Sequence, residues 1–89
     1  MITLGFSFSY SDLVTAGQYF PYLSSYIYVN DTAGDIVYEA PDGSAQWVQG
    51  AGLGYNMIAA QRVLATGTVN GTLRTTTAVG MVYCCAPTY

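Results

Sequence analysis

The fold is decided by residues 35–49, which read DIVYEAPDGSAQWVQ. Two short runs at 35–39 and 45–49 contain β-branched and aromatic residues, as strands do. Between them, Pro41 presets the φ angle of the first turn position, and Gly43 supplies the positive φ that closes the turn. The stretch therefore predicts an antiparallel β-hairpin.

The segments before this hairpin also favour strands. Residues 2–10 place large apolar side chains at every second position, and this strict period of two predicts a half-buried strand. Residues 11–20 are ambiguous, and we interpret them as a loop or a short strand. Residues 22–29 are β-branched and aromatic, and they are predicted to form a strand that ends in a turn at 30–34.

The segments after the hairpin continue the same pattern. Short strands are predicted at 55–58 and 61–66. A helix over 57–65 is the alternative, because Ala, Gln, Arg, Leu and Met all favour helices. The Asn-Gly pair within 69–72 is a favoured hairpin turn, and a last strand is predicted over 78–84.

Short strands separated by frequent turn signals are typical of all-β domains. We predict a small antiparallel β-sandwich or barrel of about six to eight short strands. The 89 residues make a single domain, 1–89. A domain of this size buries only about 60–65% of its unfolded surface, so oligomerisation is an expected source of stability.

The chain carries very little charge. Charged residues make up 8% of the sequence, against about 25% in ordinary domains, and the net charge is −3. Its only cations are Arg62 and Arg74. Two arginines are too few to bind nucleic acid or an anionic membrane, so neither partner is expected. Such a surface suits burial against partner proteins; the alternative is a neutral Ser/Thr-rich surface with no meaning beyond solubility.

The chain lacks the residues that most catalytic mechanisms require. The chain has no His and no Lys, which removes the Ser-His-Asp triad, the Cys-His dyad and the Schiff-base lysine. Asp35 and Glu39 lie roughly 13 Å apart along one strand, too far for a glycosidase pair within that strand. The Gly-rich residues 50–54 do not match a dinucleotide-binding loop, and we interpret them as a connector. We therefore expect a non-enzyme without cofactor or metal.

The two cysteines, Cys84 and Cys85, are neighbours in the sequence. Adjacent residues of a strand point to opposite faces, so a bridge between them would be strained. We expect two reduced thiols, one of them buried; a vicinal disulfide or an intermolecular bridge is the alternative. No run reaches the roughly 18–20 apolar residues of a membrane helix, and the N-terminus lacks a positive leader region. Synthesis in a cytoplasm is therefore expected.

Part of the sequence resembles a known group of proteins. Within residues 34–83, the runs 34–39, 41–43, 59–68 and 75–78 read GDIVYE, PDG, AAQRVLATGT and TTTA. They are similar to runs in small structural proteins of tailed phages and gene transfer agents. The resemblance implies a virion component that is assembled in the host cytoplasm. It would be a head decoration (cement) protein or the base of a head spike.

The resemblance and the composition together define the expected partners. We expect the chain to bind the major capsid protein and copies of itself, as a homo-oligomer for which a trimer is one candidate. Nine Tyr and one Trp are too many for so small a core, so some should face a partner. The alternative is a glycan-binding or adhesion module that uses exposed Tyr and Trp. The candidate interface residues are Phe6, Phe8, Tyr26, Tyr28, Trp47, Arg62 and Arg74.

Overall fold

The computed structural model describes residues 10–85, and all regular structure in that range is β. The nine strands are β1 (Tyr10–Leu13), β2 (Ser24–Thr32), β3 (Gly34–Glu39), β4 (Ala45–Ala51), β5 (Gly54–Met57), β6 (Arg62–Leu64), β7 (Thr66–Val69), β8 (Thr72–Thr75) and β9 (Val79–Cys85). The predicted all-β class is confirmed. The strand 2–10 lies outside the described residues except for Tyr10.

The strands form three antiparallel sheets. The first sheet has the order β1-β9-β2-β5, the second has the order β4-β3-β6, and β7 and β8 form a separate hairpin. The first two sheets share one core, so the fold is a small sandwich of open sheets rather than a closed barrel. The number of strands exceeds the predicted six to eight partly because the predicted strand 61–66 is split in two. It breaks at Ala65, and β6 and β7 then belong to different sheets.

The core lies between the first and second sheets. Ile27 and Val29 of β2 face Ile36 of β3 and Val63 of β6, and all four side chains are almost completely buried. Burying each such side chain contributes about 1.5–3 kcal/mol to stability. Because side chains alternate in direction along β2 and along β3, one face of each sheet contributes to this core.

Both predicted hairpins are confirmed, and their turn residues adopt the predicted backbone conformations. In the β3–β4 turn, the Ala40 N–H donates to the Ser44 carbonyl at 2.8 Å, and Gly43 has a φ of +88°. In the β7–β8 turn, Asn70 and Gly71 have φ values of 50° and 79°. Positive φ at both central residues identifies a type I′ turn, whose twist matches that of the flanking strands.

One other prediction for the backbone was wrong. The turn predicted at 30–34 does not reverse the chain, because β2 continues to Thr32 and β3 begins at Gly34 in the other sheet. The chain thus turns a corner between the two sheets. The helical alternative for 57–65 does not form, and β5 and β6 occupy the predicted strand positions instead. Ile58, Ala60 and Val63 are buried in the core, with exposed or half-buried residues between them.

The thiols of Cys84 and Cys85 are unbridged, and both are buried rather than one. Cys85 belongs to the core between the sheets, whereas Cys84 lies on the opposite face of β9. Burial raises the pKa of both thiols, so both favour the unreactive protonated form.

The corner between the sheets requires a glycine at position 34. A Cβ on Gly34 would lie 2.5 Å from Oγ1 of Thr77 and 2.8 Å from the backbone nitrogen of Ala78. The same threonine hydroxyl accepts a hydrogen bond from the Asp35 N–H at 2.8 Å. The segment before β9 therefore crosses so close to β3 that only a hydrogen atom fits at this position.

We predict that Gly34→Ala lowers the free energy of unfolding by about 1–3 kcal/mol, because the added methyl group forces the two backbones apart. Gly52→Ala is the matched control, since its Cβ would meet nothing within 4 Å. That variant should be neutral or gain up to about 1 kcal/mol. Urea denaturation measures both variants, and equal stabilities would contradict the predicted close approach.

Candidate interaction surfaces

The outer face of the first sheet is apolar and rich in tyrosine. Because Ile27 and Val29 point into the core, alternation places Tyr26 and Tyr28 on the opposite face of β2. In register with them on β5 stand Met57 and Tyr55. The Tyr55 ring meets the rings of Tyr26 and Tyr28 edge to face, with centroids 5.7 and 4.8 Å apart.

This surface continues across the other two strands of the sheet. Cys84 and Val82 of β9 stand beside the two tyrosines of β2, and Ser11 and Leu13 of β1 stand beside them in turn. Leu13 is 71% exposed, although it is a large apolar residue. We call these positions the tyrosine face: Ser11, Leu13, Tyr26, Tyr28, Tyr55, Met57, Val82 and Cys84. None of them is charged.

Among the described residues, the other candidate interface residues, Trp47, Arg62 and Arg74, lie elsewhere. Phe6 and Phe8 lie outside the described residues. Trp47 belongs to the outer side of the second sheet, where Arg74 of the β7–β8 hairpin covers its indole ring with the guanidinium carbon 3.9 Å from the ring centroid. Within residues 10–85, neither the indole nitrogen nor Nε of Arg74 has a hydrogen-bond partner. The half-buried pair of Trp47 and Arg74 thus lies between the β7–β8 hairpin and the second sheet.

The β7–β8 hairpin rests closely on the second sheet at two points. A Cβ on Gly67 would already come within 3.1 Å of the Val37 side chain. The Thr76 hydroxyl accepts a hydrogen bond from the Val37 N–H at 2.8 Å and donates one to the Leu64 carbonyl at 2.6 Å. These contacts hold the hairpin over the outer side of the second sheet, so that the hairpin covers this side.

Arg62 is likewise bound within its own chain. Its guanidinium forms an ion pair with Glu39 at 3.0 Å and lies 4.3 Å from the centroid of the Tyr19 ring. It also donates a hydrogen bond to the Gly17 carbonyl at 3.3 Å. Within the described residues, Arg62 therefore holds the segment that contains Tyr19, and its place in an interface stays a prediction.

That segment is the crossing loop, residues 14–23, which joins β1 to β2. Its backbone is fixed at three points: Val14 N–H donates to Met81 at 3.0 Å, and Gly17 N–H to Val63 at 2.7 Å. The third bond runs from the Phe20 N–H to the Gln61 carbonyl at 2.9 Å. The loop therefore spans from the first sheet to the second in a defined conformation.

Stacked aromatic rings pack the crossing loop against β9. Phe20 stacks on Tyr83 of β9 with ring centroids 3.9 Å apart, and Tyr10 lies 5.9 Å from the same ring. Tyr83 is buried. Burial raises the pKa of its phenol, and a hydrogen bond with Tyr10 and the nearby charge of Asp12 act in the same direction.

A small cavity opens between β1 and the crossing loop. Its volume is about 170 Å³, and its lining residues are Asp12, Leu13, Thr15, Gln18, Tyr19, Phe20 and Tyr83. The Asp12 carboxylate accepts a hydrogen bond from the Leu13 N–H at 2.8 Å and a longer one from the Tyr10 hydroxyl at 3.4 Å. Sequence reasoning missed this cavity; the only available signal was a run of polar and aromatic residues in a segment of ambiguous structure.

The carboxylates do not assemble into a metal site in the part of the chain that the structure describes. No group of three or more potential ligands occurs there. Asp35 accepts a hydrogen bond from the Gly50 N–H at 2.8 Å, and Glu39 pairs with Arg62. Between residues 10 and 85 there is also no helix of the length and hydropathy that crossing a membrane requires.

The chain matches no known family, no curated protein and no solved structure.

We predict that the protein loses stability in alkali and that Tyr83 contributes to the loss. An unfolded tyrosine titrates near pH 10.0, whereas the folded phenol keeps its proton to higher pH. Above that pH the unfolded chain therefore binds fewer protons than the folded one, and unfolding is favoured. Urea midpoints measured from about pH 8 to about pH 11 should fall less steeply in Tyr83→Phe than in the wild type. Parallel curves would show that Tyr83 plays no part.

Proposed function

We propose that this chain is a structural protein of a phage virion, a capsid decoration or cement protein or the base of a head spike, which acts as a homo-oligomer. The observation that carries the proposal is the tyrosine face, an uncharged side of the sandwich on which the apolar residues Leu13 and Met57 are 71% and 82% exposed. The phage assignment itself comes from the resemblance of residues 34–83 to virion proteins.

Two exposed apolar side chains on the tyrosine face favour contact with another protein. Met57 is 82% exposed and Leu13 is nearly as open, with the tyrosine rings between them. Removing apolar surface from water contributes about 25 cal/mol per Å². Soluble monomers rarely expose contiguous apolar patches beyond a few hundred Å², and larger ones mark interaction sites. Tyrosine and methionine are also enriched at the centres of protein interfaces.

The distribution of charge favours a second copy of the chain as the occupant. Five acidic residues and two arginines give each copy a net charge of −3, so two copies repel at most orientations. Both arginines are held within the chain, by Glu39 and Tyr19 or by Trp47. An uncharged face is where two copies can meet without opposing like charges. A two-fold contact through it would be self-complementary.

We predict that the wild-type protein is an oligomer and that Met57→Glu dissociates it, because the new carboxylates would be buried against an apolar face. Leu73→Glu is the matched control: Leu73 is also an exposed apolar residue, at 67%, but it belongs to the β7–β8 hairpin. Size-exclusion chromatography with light scattering gives the mass of each. A monomeric wild type, or an oligomer that persists in Met57→Glu, would remove the tyrosine face from the proposal.

The virion assignment has its own test. Mass spectrometry of purified particles of the phage that encodes this chain should detect it at a stoichiometry comparable with that of capsid subunits. Electron cryomicroscopy of the same particles should show additional density at symmetry-related positions on the head, and particles that lack the gene should lose it. Absence of the chain from purified particles would contradict the assignment while leaving self-association open.

A further inference from the structure

The cavity beside the crossing loop carries polar groups that the proposed assembly does not use. Asp12, Thr15, Gln18 and Tyr19 are all exposed, and they converge on a space of about 170 Å³. Ligand sites combine a concave surface, aromatic walls and a few placed polar groups. The cavity is smaller than the roughly 300–1,000 Å³ of drug-sized sites, so it suits a single small ring.

The walls of the cavity are held in place before any ligand arrives. Three backbone hydrogen bonds fix the crossing loop to β9, to β6 and to Gln61. Arg62 adds a fourth bond at Gly17 and fixes the Tyr19 ring by covering one of its faces. Since Arg62 is itself held by Glu39, the orientation of Tyr19 depends on a chain of contacts that reaches the second sheet. Such preorganisation lowers the entropy lost on binding.

The polar groups suit a ligand with several hydroxyls. A carboxylate offers about four lone-pair positions, and Asp12 uses two of them for the Leu13 N–H and the Tyr10 hydroxyl. The others remain for O–H donors, and hydrogen bonds to a charged acceptor are the strong ones. The exposed amide of Gln18 both donates and accepts, which matches a hydroxyl group in either sense.

The aromatic residues suit the apolar face of a sugar ring. Tyr19 is 56% exposed, although Arg62 lies against it, and Phe20 stacked on Tyr83 forms the neighbouring wall. A pyranose presents C–H groups on one face and hydroxyls around its rim, so it can pack on a ring and donate to a carboxylate at once. The charge of Asp12 and the net charge of −3 disfavour acidic sugars.

We propose that this cavity binds one ring of an uncharged hexose, through hydrogen bonds to Asp12 and Gln18 and packing against Tyr19. The binding is non-covalent and requires no metal. Leu13 is the one lining residue that also belongs to the tyrosine face, whereas the polar and aromatic groups that would hold the sugar do not belong to it.

The test is a titration followed by ¹H–¹⁵N NMR, with the methyl glycosides of glucose, galactose, mannose and N-acetylglucosamine as probes at millimolar concentrations. At least one of them should shift the amide signals of residues 12–20 and 83 selectively. Sialic acid should not bind, because its carboxylate would face Asp12. If none of the four probes shifts an amide signal, or if the shifted signals belong to residues elsewhere on the chain, the proposal is overturned.

Two variants and a control sharpen the result. Asp12→Asn keeps the Oδ1 acceptor for the Leu13 N–H but loses the charge, and it should weaken binding ten- to a hundredfold. Tyr19→Ala should weaken it about tenfold. Tyr22→Ala is the control, because Tyr22 is also an exposed tyrosine of the crossing loop but does not line the cavity. Unchanged affinity in Asp12→Asn, with the fold verified by its spectrum, would overturn the assignment.

A Met57→Glu protein separates this proposal from that of the assembly. It should bind the sugar as the wild type does, whatever its oligomeric state. Sugar binding that disappears together with the oligomer would place the site between copies rather than in the cavity.

Discussion

The structure depends on the alternation of side chains along β2. This strand pairs with β9 on one side and β5 on the other, so it forms the middle of the first sheet. Its Ile27 and Val29 enter the core while Tyr26 and Tyr28 face outward. A slip of one residue would exchange these sets, burying phenols and exposing the core. The same constraint therefore sets the stability of the sandwich and the character of its outer face.

Two close backbone approaches need glycine, one between the two sheets and one between β9 and β2 within the first sheet. Gly34 lies against the segment before β9, and a Cβ on Gly80 would meet the side chain of Asp31 at 2.6 Å. Gly80 also has a φ of +71°, at a point where the pairing of β2 with β9 is irregular. The corner from β2 to β3 is possible because the two glycines have no side chain. Their backbones can therefore pass close to neighbouring segments and can adopt the irregular pairing of a bulge.

The two arginines show how a weakly charged chain uses its few cations. Each guanidinium lies over an aromatic ring, Arg62 over Tyr19 and Arg74 over Trp47. In this position a cation is partly desolvated and contributes about 0.5–2 kcal/mol. Both contacts fasten a peripheral element, the crossing loop or the β7–β8 hairpin, to the second sheet. The exposed surface is left acidic or neutral, and its two distinctive regions are the tyrosine face and the cavity beside the crossing loop.

The sequence by itself determined the β class and the two hairpins, because turn geometry is a local property of Pro41, Gly43, Asn70 and Gly71. It also showed that aromatic residues exceed what the core can hold. Only the tertiary structure decided that residues 30–34 turn a corner, that β6 and β7 separate at Ala65, and which groups line the cavity. These features depend on pairings with β9 and on contacts between distant segments, for which the chain carries no local signal.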